Sequence, residues 1–517
     1  GNFELRQAAA EGGAAPGFEE PVEFEGRTIR VVRGDYGALM ARVADNLDKA
    51  AAVAANDEQK AMLAKYSASF RGGSVEDHIE GSRHWIRDKG PSVESYIGFI
   101  ESYRDPLGVR GEWEGFVAVV NREMSAKFAT LVEAAPALLP KLPWGPAYEK
   151  DVFQRPDFTS LEVVAFGSSG IPAGINIPNY DVVRQGEGFK NVSLGNVLSA
   201  RDLKERVTFI HDDDQEAFRS TLVPSFEVQV GLHELLGHGS GKLFRRNEDG
   251  TTNFDAALIN PETGAPVASC YAPGQTYDAA FPVISSSLEE CRAECVGVYL
   301  CVDKDVLKIF GHEGDEGDRI VYVNWLSMAR AGLMALLFYS PETKKHGQAH
   351  MQARFAILRV MIEAGVAEIV NAERAAGGGA GGAGEGKHDD EPELGVYVKV
   401  HEDRIRTAGV AAVGAFLRKI QTYKATADYA AAKALYDRYT TVPDDMLPLR
   451  DLVVRCRKPR PFFVQPHTML VDGGDDVALR EFEPSAEGVV ASFAARYPAT
   501  DDELEGLWRK DFAAIRA

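Results

Sequence analysis

The stretch Phe226-Glu-Val-Gln-Val-Gly-Leu-His-Glu-Leu-Leu-Gly-His-Gly-Ser-Gly241 decides how this chain is read. Phe226 to Leu232 reads as the interior of a helix, and Gly239-Ser-Gly-Lys-Leu243 reads as its stop. Between them His233 and His238 offer two imidazoles and Glu234 offers a carboxylate that can serve as a base. The familiar zinc-protease pattern H-E-x-x-H spaces its histidines four apart, which leaves the two rings about 40° apart around an ideal helix. Here the spacing is five, and the rings would stand about 140° apart. A single widened turn of the π type absorbs one residue and returns both rings to one face, and Gly237 sits where that distortion is cheapest.

A second motif, Glu289-Glu-Cys-Arg-Ala-Glu294, supplies three carboxylates within six residues. Ser285, Ser286 and Ser287 offer N-cap oxygens. Leu288, Cys291, Val296, Val298, Tyr299 and Leu300 supply the apolar side of a helix that would carry the acids. Such a cluster repels itself unless a cation or hydrogen-bond donors offset its charge. Together the two motifs hold the parts of a zinc hydrolase, with a third ligand drawn from the acidic cluster.

With both motifs complete, the chain resembles the dipeptidyl peptidases III, zinc exopeptidases marked by H-E-x-x-G-H and E-E-x-R-A-E. The likeness continues through Gly167-Ser-Ser-Gly-Ile-Pro-Ala-Gly-Ile-Asn-Ile-Pro-Asn-Tyr180, through Glu94-Ser-Tyr-Ile-Gly-Phe-Ile-Glu-Ser-Tyr-Arg-Asp-Pro106, and through Gln348-Ala-His-Met-Gln-Ala-Arg354. It covers nearly the whole chain. The resemblance implies one Zn2+ per chain held by His233, His238 and Glu290, leaving a position open for water as catalysis requires. It makes Glu289 and Glu294 the groups that accept the free N–H of the ligand imidazoles, and Glu234 the general base. Tyr96 and His350 match residues that stabilise the developing oxyanion. Glu94, Asn176 and Asn179 match residues that bind the substrate's N-terminal end, and Arg460 matches one that holds the other end of the peptide. Arg354, one turn from His350, would orient it. The expected substrates are oligopeptides that lose dipeptides from a free amino terminus.

Two departures from the family pattern bear on function. Full-length eukaryotic relatives carry roughly two hundred residues before the point where this chain begins, and those build much of the mixed α/β lobe. In Pro261-Glu-Thr-Gly-Ala-Pro266, Ala265 replaces the last acid of an E-T-G-E loop that engages a stress-response adaptor in some animal relatives, so no such partner is expected.

Composition fits an enzyme of the cytoplasm. A chain of 517 residues exceeds one core's usual size, and 45% hydrophobic residues suffice for two. The net charge of −20 argues against nucleic acid or an anionic membrane as partner. No apolar run of membrane-spanning length appears, and Gly1-Asn-Phe-Glu-Leu-Arg lacks the order of a signal peptide. Five cysteines fit reduced thiols, with Cys291 and Cys295 read as packing groups.

The expected fold is α-rich α+β, with two lobes around a cleft: a mainly helical zinc lobe and a mixed α/β lobe. Residues 1–110, part of 140–200 and 395–480 are assigned to the mixed lobe. Residues 111–139 and 201–394 form the zinc lobe, with a flexible Gly-rich loop at 375–391, and 481–517 form a C-terminal helical segment. Residues 35–135 read as mostly helical, including Tyr36 to Ala54 and Glu114 to Leu131; Leu449 to Val464 reads as strand. Two alternatives remain open: a zinc endopeptidase or carboxypeptidase of other specificity, and a non-catalytic peptide-binding protein.

Overall fold

The computed structural model describes residues 3–101, 111–153, 157–168, 170–200, 206–371, 395–458, 463–472, 474, 476–496, 505–506 and 509; the Gly-rich loop at 375–391 and Arg460 lie outside them. The chain divides into two units. One comprises Gly1–Ser125, Pro156–Ala200 and Phe462–Ala517, the other Ala126–Arg155 and Arg201–Pro461. Helices and sheets together make the α-rich α+β fold expected from the sequence.

In the first unit, β1 (Phe3–Ala8), β2 (Gly13–Ala14), β3 (Val22–Phe24) and β4 (Arg27–Asp35) form a small sheet with β4 paired to the other three. Three helices follow: α1 (Gly37–Ala52), α2 (Asp57–Gly72) and α3 (Val75–Arg87). Their starts are written in the sequence. Asn56 accepts from the Gln59 amide at 2.9 Å and Ser74 from the Asp77 amide at 3.0 Å, each satisfying an orphan donor of the first turn.

The main sheet has the order β5-β6-β7-β9-β8, from β5 (Val93–Glu101), β6 (Glu112–Val120), β7 (Asp157–Gly167), β8 (Gly174–Ile177) and β9 (Lys190–Leu194). Alternation along β5 and β6 turns Glu94, Tyr96, Phe116 and Ala118 inward, where Met62, Tyr66 and Phe70 of α2 and Trp85 of α3 close the core. Val93, Phe99, Val117 and Val119 face outward and are exposed. This hairpin corrects the helical reading of Glu114 to Leu131: the helix, α4 (Arg122–Leu138), begins only after β6. Aromatic and β-branched residues fill Trp113 to Val120, and pairing with β5 settles a run whose apolar spacing fits either period. The short helices α5 (Asp181–Gly186) and α6 (Gly195–Ser199) flank β9.

The second unit is built around α7 (Gln215–Leu232), α9 (Ser285–Leu300), α11 (Gly314–Met334) and α12 (Ala349–Glu363), with α8 (Tyr277–Ala280) and α10 (Lys304–Phe310) between them. Helix α9 is almost wholly buried, packed by α7, α12 and the helix Val410–Ala425. The run Gly314–Phe338 is long and apolar enough to cross a membrane by length and composition, yet 67% of its apolar window is buried within the protein. It is a central packing helix. Serines 285 to 287 lie in the first turn of α9, and the preceding Ile284 provides no side-chain cap, contrary to the expected serine cap.

Residues 395–461 fall in the second unit, where the sequence had placed them with the mixed lobe. Strand Val396–Val400 pairs antiparallel with Ala367–Asn371, and the helix Val410–Ala425 lies on α9. Leu447–Arg455 is a helix begun by Pro448 in its first turn, not a strand. Residues 112–120 belong to the first unit, as β6.

Candidate metal centre

Helix α7 runs directly into a π turn over His233–Gly237, closed by the His238 amide donating to the His233 carbonyl at 3.1 Å, five residues back. This is the widened turn that the five-residue spacing requires. It brings the two imidazoles together, ring centroids 4.9 Å apart and nearly perpendicular. Gly237 is needed for a further reason. A Cβ there would stand 2.8 Å from Ala293 Cα, so glycine lets the turn lie directly on the backbone of α9.

Across that contact α9 presents its carboxylates. Glu290 Oε2 stands 3.4 Å from His233 Nε2, 3.8 Å from His238 Nε2 and 3.1 Å from His350 Nε2 at the start of α12. The other ring nitrogens face outward to acids: His233 Nδ1 is 3.5 Å from Glu294 Oε2 and His238 Nδ1 is 3.2 Å from Glu289 Oε1. His233 and His238 therefore point Nε2 at a common centre while a carboxylate behind each meets Nδ1, the arrangement that fixes tautomer and ring orientation in histidine metal sites. Two donor sets lie with their atoms within 4.8 Å of one another: His233, Glu290 and His350, and His233, Glu234 and His238.

The acids behind the centre are held by cations. Arg292, fully buried, gives Nε and Nη2 to Glu289 at 3.0 and 2.6 Å, and Lys424 adds a third contact. Burial raises the Glu289 carboxyl, but Arg292 and Lys424 outweigh it and hold it well below the usual range. Lys424 is pushed down to about 8 by its own burial and by Arg292. Glu294, likewise buried, is held far below the usual range by Arg354 and His233. Burial would deprotonate His233, yet Glu290 and Glu294 raise its pKa well above normal. A metal cation would take the same lone pair only by displacing that proton.

Arg354 was expected to orient His350. Instead its Nε and Nη2 both reach Glu294 Oε1, at 2.7 and 2.6 Å. His350 itself stacks on His233 with centroids 6.2 Å apart and is half-exposed. Glu234 is buried, with Oε2 lacking any hydrogen-bond donor.

The first unit places the remaining expected residues differently. Glu94 is 2% exposed, and both its oxygens are engaged, one by Trp85 Nε1 at 2.5 Å and one by Lys190 Nζ at 3.0 Å. Burial raises its carboxyl despite Lys190. Tyr96 is 1% exposed and its hydroxyl pairs with Ser82 Oγ at 2.8 Å. As placed, neither offers a free group to a substrate, because the alternation of β5 turns both into the core. Asn176 bonds Asn191, while Asn179 is exposed beside Glu101, at 3.2 Å. Lys424, Trp85 and Lys190 were missed in the sequence; Lys424 meets Glu289 from 135 residues away and no local pattern marks it.

The sequence matches peptidase family M49 over residues 1–497, and the chain belongs to that metallopeptidase family. Relatives named Dipeptidyl peptidase 3 include those of Nematostella vectensis, 57% identical over 95% of this chain and 65% of that protein, and of Homo sapiens, 52% identical over 98% of this chain and 68% of that protein. The chain thus spans about two thirds of their length. A solved structure of DPP III from Caldithrix abyssi shares the fold with a TM-score of 0.60 at 20% identity, covering 84% of this chain and 72% of that one.

Proposed function

We propose that this chain is a zinc-dependent exopeptidase that releases dipeptides from the free amino terminus of oligopeptides, with His233, His238 and Glu290 holding the metal. The observation that carries the reading is Glu290 Oε2. It is buried and has no well-aligned hydrogen-bond donor, although three imidazole nitrogens stand 3.1, 3.4 and 3.8 Å from it. Imidazole nitrogens and a carboxylate that converge on one point suit a shared cation, and nitrogen and oxygen donors suit zinc.

A zinc ion held by these residues would supply Lewis acidity toward a water and a peptide carbonyl. The protein's own groups do the rest. Glu234 takes the proton that the attacking water gives up and passes it to the leaving amine, a role suited to a carboxylate oxygen with no competing donor. Glu289 and Glu294 keep the Nδ1 atoms of His238 and His233 engaged, so the Nε2 atoms stay aimed at the centre. His350, half-exposed beside Glu290, is the group best disposed to donate to a developing oxyanion. For the substrate's ammonium, Asn179 is the accessible member of the expected trio.

The engagement of Glu94 and Tyr96 favours a second reading, peptide hydrolysis without amine recognition. The experiment that separates them uses the purified chain, zinc assayed, with a short peptide and its N-acetylated twin. Dipeptide released from the free peptide alone supports the exopeptidase. Cleavage of both peptides supports the second reading, and cleavage of neither with zinc bound rejects both.

A further inference from the structure

Behind the centre lies a group that neither motif includes. Gln229, on α7 one helical turn before His233, is buried. Its amide nitrogen donates to Glu294 twice, to Oε2 at 2.8 Å and to the main-chain carbonyl at 3.2 Å. Its amide oxygen accepts from Asn324 Nδ2 of α11 at 3.2 Å, and Asn324 is tied in turn to the Ser225 carbonyl at 3.3 Å. An ionised carboxylate only accepts, so this orientation of the amide is the one the chemistry permits.

An independent observation comes from the facing helix. Gly297, one turn after Glu294 on α9, lies against the same amide, and a Cβ at 297 would stand 2.5 Å from Gln229 Cδ. Any other residue there would push the amide from its seat. Position 297 is thus shaped around Gln229, in a helix whose neighbouring positions are filled with packing side chains.

We propose that Gln229 is a positioning residue for the metal ligand His233, acting through Glu294. This rests on reading His233 as a zinc ligand. Glu294 divides its oxygens: Oε1 is drawn to Arg354, while Oε2 faces His233 Nδ1 and is held there by Gln229. Without the amide, Arg354 is the strong donor left to Glu294 among the described residues, and the carboxylate is free to turn both oxygens toward it. His233 Nδ1 then loses its acceptor, and the ring loses what fixes its tautomer and its aim.

The test is Gln229→Leu in the 517-residue chain, with zinc affinity read by chelator competition, kcat and KM on a peptide, and the melting temperature of the zinc-free protein. Gln229 and Asn324 line a cavity of about 230 Å³, which gives the branched side chain room. Zinc binding should weaken about tenfold, the low end of what losing a ligand's hydrogen-bonded support causes. kcat should fall more than KM rises, with the zinc-free melt little changed. Gln229→Met, close in shape but without the donor, and Gly297→Ala, which displaces the amide, should weaken zinc in the same direction. Wild-type zinc affinity in a folded Gln229→Leu, or in Gln229→Met if the leucine variant does not fold, overturns the role. His233→Ala separates the two levels: loss of zinc there with wild-type binding in the Gln229 variants rejects only the positioning role, whereas wild-type zinc binding by His233→Ala rejects the metal centre itself.

Discussion

Glu234 shows how much one residue's surroundings decide. It neighbours a proposed ligand in sequence, yet Glu289 and Glu294 are tied down by cations while its own Oε2 is buried without a donor. Keeping a buried carboxylate oxygen unpaired is destabilising by about 1–3 kcal/mol, a cost that removing the charge would relieve. Glu234→Gln should therefore bind zinc as the wild type does, melt no lower, and lose about 10²–10⁴-fold in peptide turnover, as removal of a general base does. Zinc analysis beside a peptide assay checks it, and turnover within a few-fold of wild type would remove Glu234 from the mechanism. At this scale the proposed ligands and base were legible because their side-chain chemistry is distinctive. Glu94 and Tyr96 were not, since a carboxylate in a motif looks the same whether it meets a substrate or Lys190; only the strand's alternation and the Lys190 ammonium behind it decide.

Among the elements, the π turn carries the site. Five-residue spacing is inconsistent with an α-helix holding both rings on one face, and His238 donating to the His233 carbonyl resolves the conflict. The turn also has to touch α9 closely, which ties the histidines to the acids. Gly237→Ala would set a Cβ 2.8 Å from Ala293 Cα, a backbone neighbour that cannot rotate away. Overpacking of this kind is destabilising by about 1–3 kcal/mol. The variant should melt lower and bind zinc more weakly, as calorimetry with and without metal would show; wild-type values for both would mean the contact is slack. The sequence read Phe226 to Leu232 and the run from Ser285 to Leu300 as helix, and α7 and α9 lie there. Periodicity failed at Glu112–Val120 and Leu447–Arg455, short apolar runs in which strand and helix patterns coincide and the partner element makes the choice.

In the molecule as a whole, each unit has its own electrostatic character. In the first, burial, then Glu101 and Glu112, push the Glu114 carboxyl up to about 7, and its Oε1 has no hydrogen-bond partner. The folded state thus holds a proton that the unfolded chain releases near pH 4.5, so stability falls as pH rises through the window from about 4.5 to 7. Glu114→Gln should melt with the wild type at pH 5 and above it at pH 8; an equal difference at both pH values would contradict this. The division of the chain was only partly readable, since segments 126–155 and 201–461 join through contacts that no local pattern announces. In the second unit a cation is proposed for His233, His238 and Glu290. X-ray absorption at the zinc edge of the purified chain reads that directly. The expected result is one zinc per chain in a nitrogen and oxygen shell at about 2.0–2.2 Å. Sulfur neighbours at about 2.3 Å, or a protein that takes up no zinc, would contradict it.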